Sequence, residues 1–526
     1  MQGALAIALS LLSATNASPV ERAAAPSVVV DAGTVIGTVT TLPSASVAVS
    51  KYLGIPYATP TLRFKPAATV TQFAAPVQAT AFGPACIQQI ANADESFVVD
   101  TYLGSVPPQS EDCLSLNVWV PAGGAAKKTV MFYIHGGFLE FGASREEFLD
   151  GTSFAANQDV IIVSINYRLS VLGFADSPEL PLAQRNLGYL DQRNALGWVQ
   201  RNIAAFGGDP TKVTIFGQSS GAASVDRLYL TEKVNPPFRA AILQSGQATV
   251  SPLDGINNFP ELAATVGCAT LACVQALPIS VIQNAINSSV LLFTPINDGV
   301  TQLATPLIAY RDLGKASNLP YMIGSAGQEG TVFTAQALSL LVNYTQASAF
   351  LNATSAGASP FVTEILNEFI GVGDDVFLAL SQVLTYYINQ CPASIAALAS
   401  VNAGVPTWRY YFNASFPNTQ PPIVGLPNLY AYHTSDIPII WGTYPAAGAT
   451  TQEIQLSKFM QTAWANFAKN PTTTGPGWGK YNALGANVAC IGCQGSSGQS
   501  PILAATIDGP CAILDAAYAL FTSVPF

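Results

Sequence analysis

The sequence predicts an α/β fold: one domain built on a large, mostly parallel mixed sheet with helices on its faces. Two observations carry this expectation. Short apolar runs at Leu116 to Val120, Val130 to Gly137, Val160 to Arg168, Val213 to Phe216 and Ala240 to Gly246 are separated by helical stretches such as YLDQRNALGWVQRNIAAFG. Strands that are apolar at nearly every position are buried on both faces, as parallel strands are when helices cover the sheet. The second observation is VTIFGQSSGAAS, from Val213 to Ser224, which reads as the end of a strand, a tight turn and the start of a helix. In sheets of this kind the functional loops gather at the carboxyl ends of the strands.

Composition sets the outer bounds. The 526 residues are 49% hydrophobic and only 10% charged, ample for one large core. A net charge of −10 argues against nucleic acid or an anionic membrane surface as partner, because both repel an acidic chain. A neutral small molecule fits better, and nothing in the residues signals an oligomeric state.

Taken in order, the chain opens on MQGALAIALSLLSATNA, an apolar run ending in small residues that predicts a secretory leader over residues 1–17 and a mature domain over 18–526. No later run reaches the roughly 18 uninterrupted apolar residues of a membrane span. VIGTVTTL and VSKYLGIPYA predict a hairpin between Val28 and Tyr57. Cys86 to Cys113 bracket a segment of mixed apolar, Pro, Gly and Ser residues without clear period, read as a flap tied by a disulfide. Phe97, Val98, Val99, Tyr102 and Leu103 give that flap an apolar side suited to covering a greasy chain. Val290 to Gln420 is read as helical insertions that wall a pocket.

Eight cysteines in an exported chain suggest up to four disulfides. Proximity pairs Cys86 with Cys113 and Cys268 with Cys273. Cys391, Cys490, Cys493 and Cys511 allow three pairings, and a zinc site at Cys490 and Cys493 is a rival weakened by the presence of only two histidines. Asn287, Asn343, Asn352 and Asn413 each begin an Asn-x-Ser/Thr sequon, which predicts surface loops open to glycosylation.

Gly217-Gln218-Ser219-Ser220-Gly221 fits a nucleophile elbow, which lifts the Ser219 hydroxyl clear of the sheet and aims the Ser220 N–H at a developing oxyanion. A serine nucleophile needs a base, and the chain has only His135 and His433. His135 opens an HGG turn and reads as a structural ring. His433 lies late, in YAYHTSDIPIIWG, which suits the chain order serine, acid, histidine. The acid falls between them: Asp298, Glu329, Glu364, Glu368, Asp374 and Asp375 are candidates. Glu329 is preferred because it follows the strand-like PYMIGS in a glycine-flanked loop.

KYLGIPYA, SEDCLSLNVWVP, NYRLSVLGF, NLGYLDQRNALGWVQRNIAAFGGDPTKVTIFGQSSGAAS, GQEGTVF and HTSDIPIIWG together resemble the type-B carboxylesterase/lipase family, from about Val35 to Tyr481. The resemblance implies an α/β hydrolase with Ser219 as nucleophile, Glu329 as acid and His433 as base. It also implies a lid between Cys86 and Cys113, a role for Ser245 beside the acid, and an oxyanion hole made by the N–H groups of Gly137, Phe138 and Ser220. The chain departs from the family at Gln218 and Ser220, usually Glu and Ala, and at Phe138, usually a third glycine. Because Phe resists a positive φ, either Phe138 has negative φ or the donors shift to Gly136 and Gly137.

The expected activity is secreted carboxylic ester hydrolysis through an acyl-enzyme, with no metal or organic cofactor. Lipid, sterol or aliphatic esters lead, with transient contact between the lid and a lipid interface, and hydroxycinnamoyl esters follow. The lid has no Trp to stack on choline, against a choline ester. A non-catalytic binding protein and a peptidase on the same fold are the rivals.

Overall fold

The computed structural model describes residues 25–45, 47–59, 62–91, 95–123, 127–248, 255–289, 291–304, 307–312, 314, 316–339, 376–422 and 428–512. The expected leader, the sequons at Asn343 and Asn352, and Glu364, Glu368, Asp374 and Asp375 lie outside these residues.

An eleven-stranded mixed sheet organises the chain. In chain order its strands are β1 (Thr38–Thr40), β2 (Val49–Pro56), β3 (Ser115–Pro121), β4 (Lys128–Ile134), β5 (Ile161–Ile165), β6 (Gly208–Gln218), β7 (Ala240–Gln244), β8 (Tyr321–Ala326), β9 (Thr407–Phe412), β10 (Val488–Ile491) and β11 (Gln499–Ile502). Across the sheet they run β11, β10, β9, β8, β7, β6, β4, β5, β3, β2, β1. Every pair from β10 to β5 is parallel, and the antiparallel pairs lie at the two sides. The outermost strands are short, which limits the edge they offer to another chain.

The sheet is buried on both faces, and side-chain alternation divides it between two cores. Val130, Phe132 and Ile134 of β4 join Ile215, Leu196 and Val199 on one side. Met131 and Tyr133 join Phe216, Trp441 and Trp464 on the other. The first core is covered by α1 (Leu187–Asn202) and α2 (Ser220–Thr231), the second by a long late helix, Thr451–Lys469, whose start is fixed by a reciprocal Thr450 and Glu453 cap.

The hairpin expected near the start forms between β1 and β2. The stretch read as helical insertions is different in one respect, because β9 (TWRYYF) inserts between β8 and β10 in the central sheet. Its pattern was broken by Arg409, a buried cation that pairs with Asp508, 99 residues away. Disulfides join Cys86 to Cys113 and Cys268 to Cys273 as expected, and Cys391 to Cys511 and Cys490 to Cys493 resolve the open pairings against zinc. The segment read as an aperiodic flap contains a short helix, Glu95–Val98, continued by a π-helical turn, Val99–Leu103. Its Phe97 packs with Val332, Phe377, Leu429 and Tyr432, while Val98 and Leu103 pack with Ile90 and Phe141. Two sequons differ from the surface loops expected. Asn287 sits in the last turn of a helix with its Oδ1 accepting the Ile90 N–H at 3.0 Å, and Asn413 is half-buried just after β9 beside Gln328.

Candidate active site

β6 ends at Gln218, and Ser219 turns the chain with φ 57° and ψ −128°, so that α2 starts at once with Ser220. This is the strained strand-to-helix turn anticipated from the sequence. The Ser219 N–H donates to the Gln244 carbonyl of β7 at 2.9 Å, tying the elbow to the next strand. Room for the turn comes from glycine. A Cβ on Gly221 would stand 2.2 Å from the Ile134 carbonyl oxygen, and one on Gly136 would stand 3.0 Å from the Ser219 Cβ. The HGG loop after β4 therefore runs directly against the elbow.

Glu329 lies in the tight loop between β8 and α3 (Gly330–Ser339) and is fully buried. Its Oε1 accepts the Ala326 N–H at 2.6 Å and its Oε2 lies 2.5 Å from Nδ1 of His433. His433 is 2% exposed, on the loop preceding the helix Ile437–Trp441. Ser219 and His433 line one cavity of about 380 Å³. Asp298, the other acid weighed, instead accepts the N–H groups of Val300, Thr301 and Gln302 and so closes its own turn.

Two carboxamides that sequence reasoning did not assign complete the surroundings of the His433 ring. The Gln218 Nε2 lies 3.2 Å from the His433 Nε2, and the Asn389 Nδ2 lies 3.3 Å from Nδ1. An amide nitrogen can only donate, so Gln218 makes Nε2 the acceptor and leaves the Nδ1 proton for Glu329, and the Asn389 nitrogen beside Nδ1 is a close neighbour of that proton, not a hydrogen-bond donor to it. Asn389 arrives on a π-helical turn, Tyr386–Gln390, a feature without a local sequence signal.

His135 has a different part. It is buried, stacks on Tyr167 with centroids 4.5 Å apart, and burial pushes its pKa down to about 4, so it is neutral at physiological pH. Asp436, buried near His433, is pushed up to about 6 by burial, and Gln244 donates to its Oδ2 at 3.1 Å. Ser245 does not hydrogen-bond to the acid. Its backbone N–H donates to the Gly324 carbonyl at 2.9 Å, and its buried Oγ has no hydrogen-bond partner among the described residues.

The loop expected to hold the oxyanion does not give Phe138 the negative φ weighed for it, which leaves the shift of the donors to Gly136 and Gly137 open. Gly137, Phe138 and Leu139 all have positive φ, at 99°, 59° and 65°. Phe138 thus takes the left-handed conformation that a glycine adopts freely, at a cost on the order of 1 kcal/mol or more for each non-glycine residue. The carbonyl of Gly137 accepts the N–H groups of Glu140 and Phe141, closing the turn. Gly137 and Phe138 line the same cavity as Ser219.

Aromatic side chains contribute to that cavity: Tyr102, Tyr133, Phe138, Phe141, Phe148 and Tyr432. Its acidic lining residues are Asp100, exposed on the flap, and Glu146, which burial pushes up to about 8. A neutral ligand fits such a wall. Among the described residues no cluster of His, Cys, Asp or Glu could hold a metal ion.

Parallel sheet, elbow after β6, buried acid after β8 and late histidine define an α/β hydrolase. The chain belongs to the carboxylesterase family, which it matches over residues 24–501. It is similar to Carboxylesterase 1E of Mus musculus, 30% identical over 532 residues that cover 91% of this chain and 92% of that protein. It is also similar to Secreted lipase 1 of Botryotinia fuckeliana (strain B05.10), 32% identical over 87% of this chain and 88% of that protein. Cholinesterase of Mus musculus is 37% identical over 308 residues, and the match spans about half of each chain, 54% of this one and 51% of that one. Membership makes the protein an ester hydrolase of the carboxylesterase and lipase type. No helix among the described residues is long and apolar enough to cross a membrane.

Proposed function

We propose that the protein is a secreted serine esterase that cleaves neutral carboxylic esters through an acyl-enzyme on Ser219. The observation that carries this reading is the 2.5 Å contact between Glu329 and His433 at the wall of the cavity that Ser219 enters. His433 Nε2 takes the Ser219 proton as Oγ attacks the ester carbonyl, and Glu329 stabilises the imidazolium that forms. The N–H groups of Gly137, Phe138 and Ser220 hold the oxyanion. His433 then gives its proton to the leaving alkoxide, and water, activated by the same ring, releases the acid.

A cavity of about 380 Å³ suits an aliphatic acyl group of modest length, and a longer lipid or sterol ester requires the flap between Cys86 and Cys113 to swing away. Hydroxycinnamoyl esters are the second reading. Phe138 lies against Phe333 and Phe141, with centroids 5.9 Å and 6.0 Å away, and these rings offer a face to a flat aryl acyl group. Export is supported by the apolar first stretch of the sequence and by the disulfides, bonds that persist in oxidising compartments.

The test is hydrolysis of p-nitrophenyl butyrate, p-nitrophenyl palmitate and methyl ferulate by the purified protein and by Ser219→Ala. Loss of all activity in the variant supports the serine mechanism, and the ranking of the three esters selects the substrate class. An inactive wild-type protein sinks the reading in favour of a binding protein, and an active variant removes Ser219 as the nucleophile.

A further inference from the structure

The loop that carries Phe138 and the elbow residue Ser220 meet in space through the backbone of Leu139. Phe138 and Leu139 occupy consecutive left-handed conformations, which side chains with a Cβ disfavour. Leu139 is 6% exposed, so its N–H needs a partner within the protein. That partner is the Ser220 hydroxyl, whose oxygen accepts it at 3.3 Å. The other tethers of the loop use different atoms. The Leu139 carbonyl accepts the Ser170 N–H at 2.7 Å, the Glu140 carbonyl accepts the Gln89 N–H at 2.8 Å, and the Gly142 N–H donates to Gln88 at 2.6 Å.

We propose that the Ser220 hydroxyl is a positioning group that latches the strained Phe138 turn against the elbow and so aims the oxyanion donors at the Ser219 acyl centre. The role belongs to the side chain and is separate from that of the Ser220 backbone N–H, which any residue supplies. An alanine at 220 offers no acceptor, and a glycine at 138 adopts positive φ without strain. A glycine at 138 therefore leaves the latch only the strain of Leu139 to hold, whereas Phe138 adds its own. The hydroxyl and the ring form a matched pair: the first makes the second tolerable, and Phe138 then contributes an aromatic wall, 40% exposed, to the cavity.

The inference rests on the serine-esterase reading for its kinetic form, and a double-mutant cycle tests it. Ser220→Ala is expected to lower kcat about tenfold with KM within about twofold, since the donors act in the transition state. In a Phe138→Gly background the same substitution is expected to cost less than about threefold, because the strain at 138 is gone and only that at Leu139 remains. An unchanged kcat in Ser220→Ala, or an equal loss in both backgrounds, overturns the latch. Hydrogen exchange of the 136–142 segment, followed by mass spectrometry, gives a reading independent of catalysis. Ser220→Ala is expected to speed exchange there about tenfold and leave the peptides of β4 unchanged, and unaltered exchange also overturns the latch. If the wild-type protein hydrolyses no ester, the serine-esterase reading falls, and the exchange result still decides whether the latch exists.

Discussion

The side-chain nitrogen of Gln218 stands 3.2 Å from Nε2 of His433, so the residue immediately before Ser219 occupies the nitrogen that the proposed mechanism needs as base. A carboxamide is well suited to that place. It donates to the neutral ring and, turned over, can accept from the protonated one.

Gln218→Glu replaces this neutral partner with an anion that favours the imidazolium. The acid limb of the kcat/KM profile should then move to higher pH by on the order of one unit. Rates on p-nitrophenyl butyrate from pH 4 to 9 measure it. A limb that stays in place while activity falls would show that Gln218 acts only by packing.

Glu329→Gln keeps the size of the acid and removes its charge. The ring loses the partner that stabilises it when protonated, and kcat should fall on the order of 10⁴-fold with KM little changed. Steady-state kinetics with an active-site titration provide the check, and a loss below about tenfold would remove Glu329 from the proposed triad.

Gly221→Ala should disable the elbow. The added carbon would meet the Ile134 carbonyl oxygen at 2.2 Å and that of His135 at 2.7 Å, backbone atoms held by the sheet. The expected cost is about 3 kcal/mol of stability together with loss of most activity. Urea unfolding curves would reveal it, and a midpoint equal to wild type would mean that the turn relaxes freely.

Asp436→Asn should make stability less dependent on pH between about 4 and 6. Burial raises the folded-state pKa of Asp436 from 3.8 to about 6, so the folded protein binds more protons than the unfolded chain in that window. Stability therefore falls as pH rises through it, by a total on the order of 3 kcal/mol, and the loss persists above it. Asparagine cannot ionise, and its Oδ1 can still accept from Gln244. Thermal melts at pH 4, 5, 6 and 7 compare the two proteins, and parallel curves would refute the assignment.

Local patterns were legible. The elbow could be read because strand end, turn and helix start are contiguous from Val213 to Ser224. His433 emerged by elimination from two histidines, and Glu329 from chain order and its glycine-flanked loop. β9 was not legible, because Arg409 breaks its apolar run and finds Asp508 only in the folded chain. Asn389 gave no signal either, since it reaches His433 across 44 residues from a π-helical turn.

By itself the sequence determined the α/β architecture, the elbow and the two residues that meet as Glu329 and His433, because strand burial, turn chemistry and the scarcity of histidine are all written locally. Only the tertiary structure decided the left-handed turn at Phe138, the partner of the Leu139 N–H and the group facing His433 Nε2. Each depends on which distant segments pack together. The Ser220 acceptor is 81 residues from Leu139, and Gln218 is 215 residues from His433. Strain at one residue and its relief by another are properties of that packing, and neither residue carries them alone.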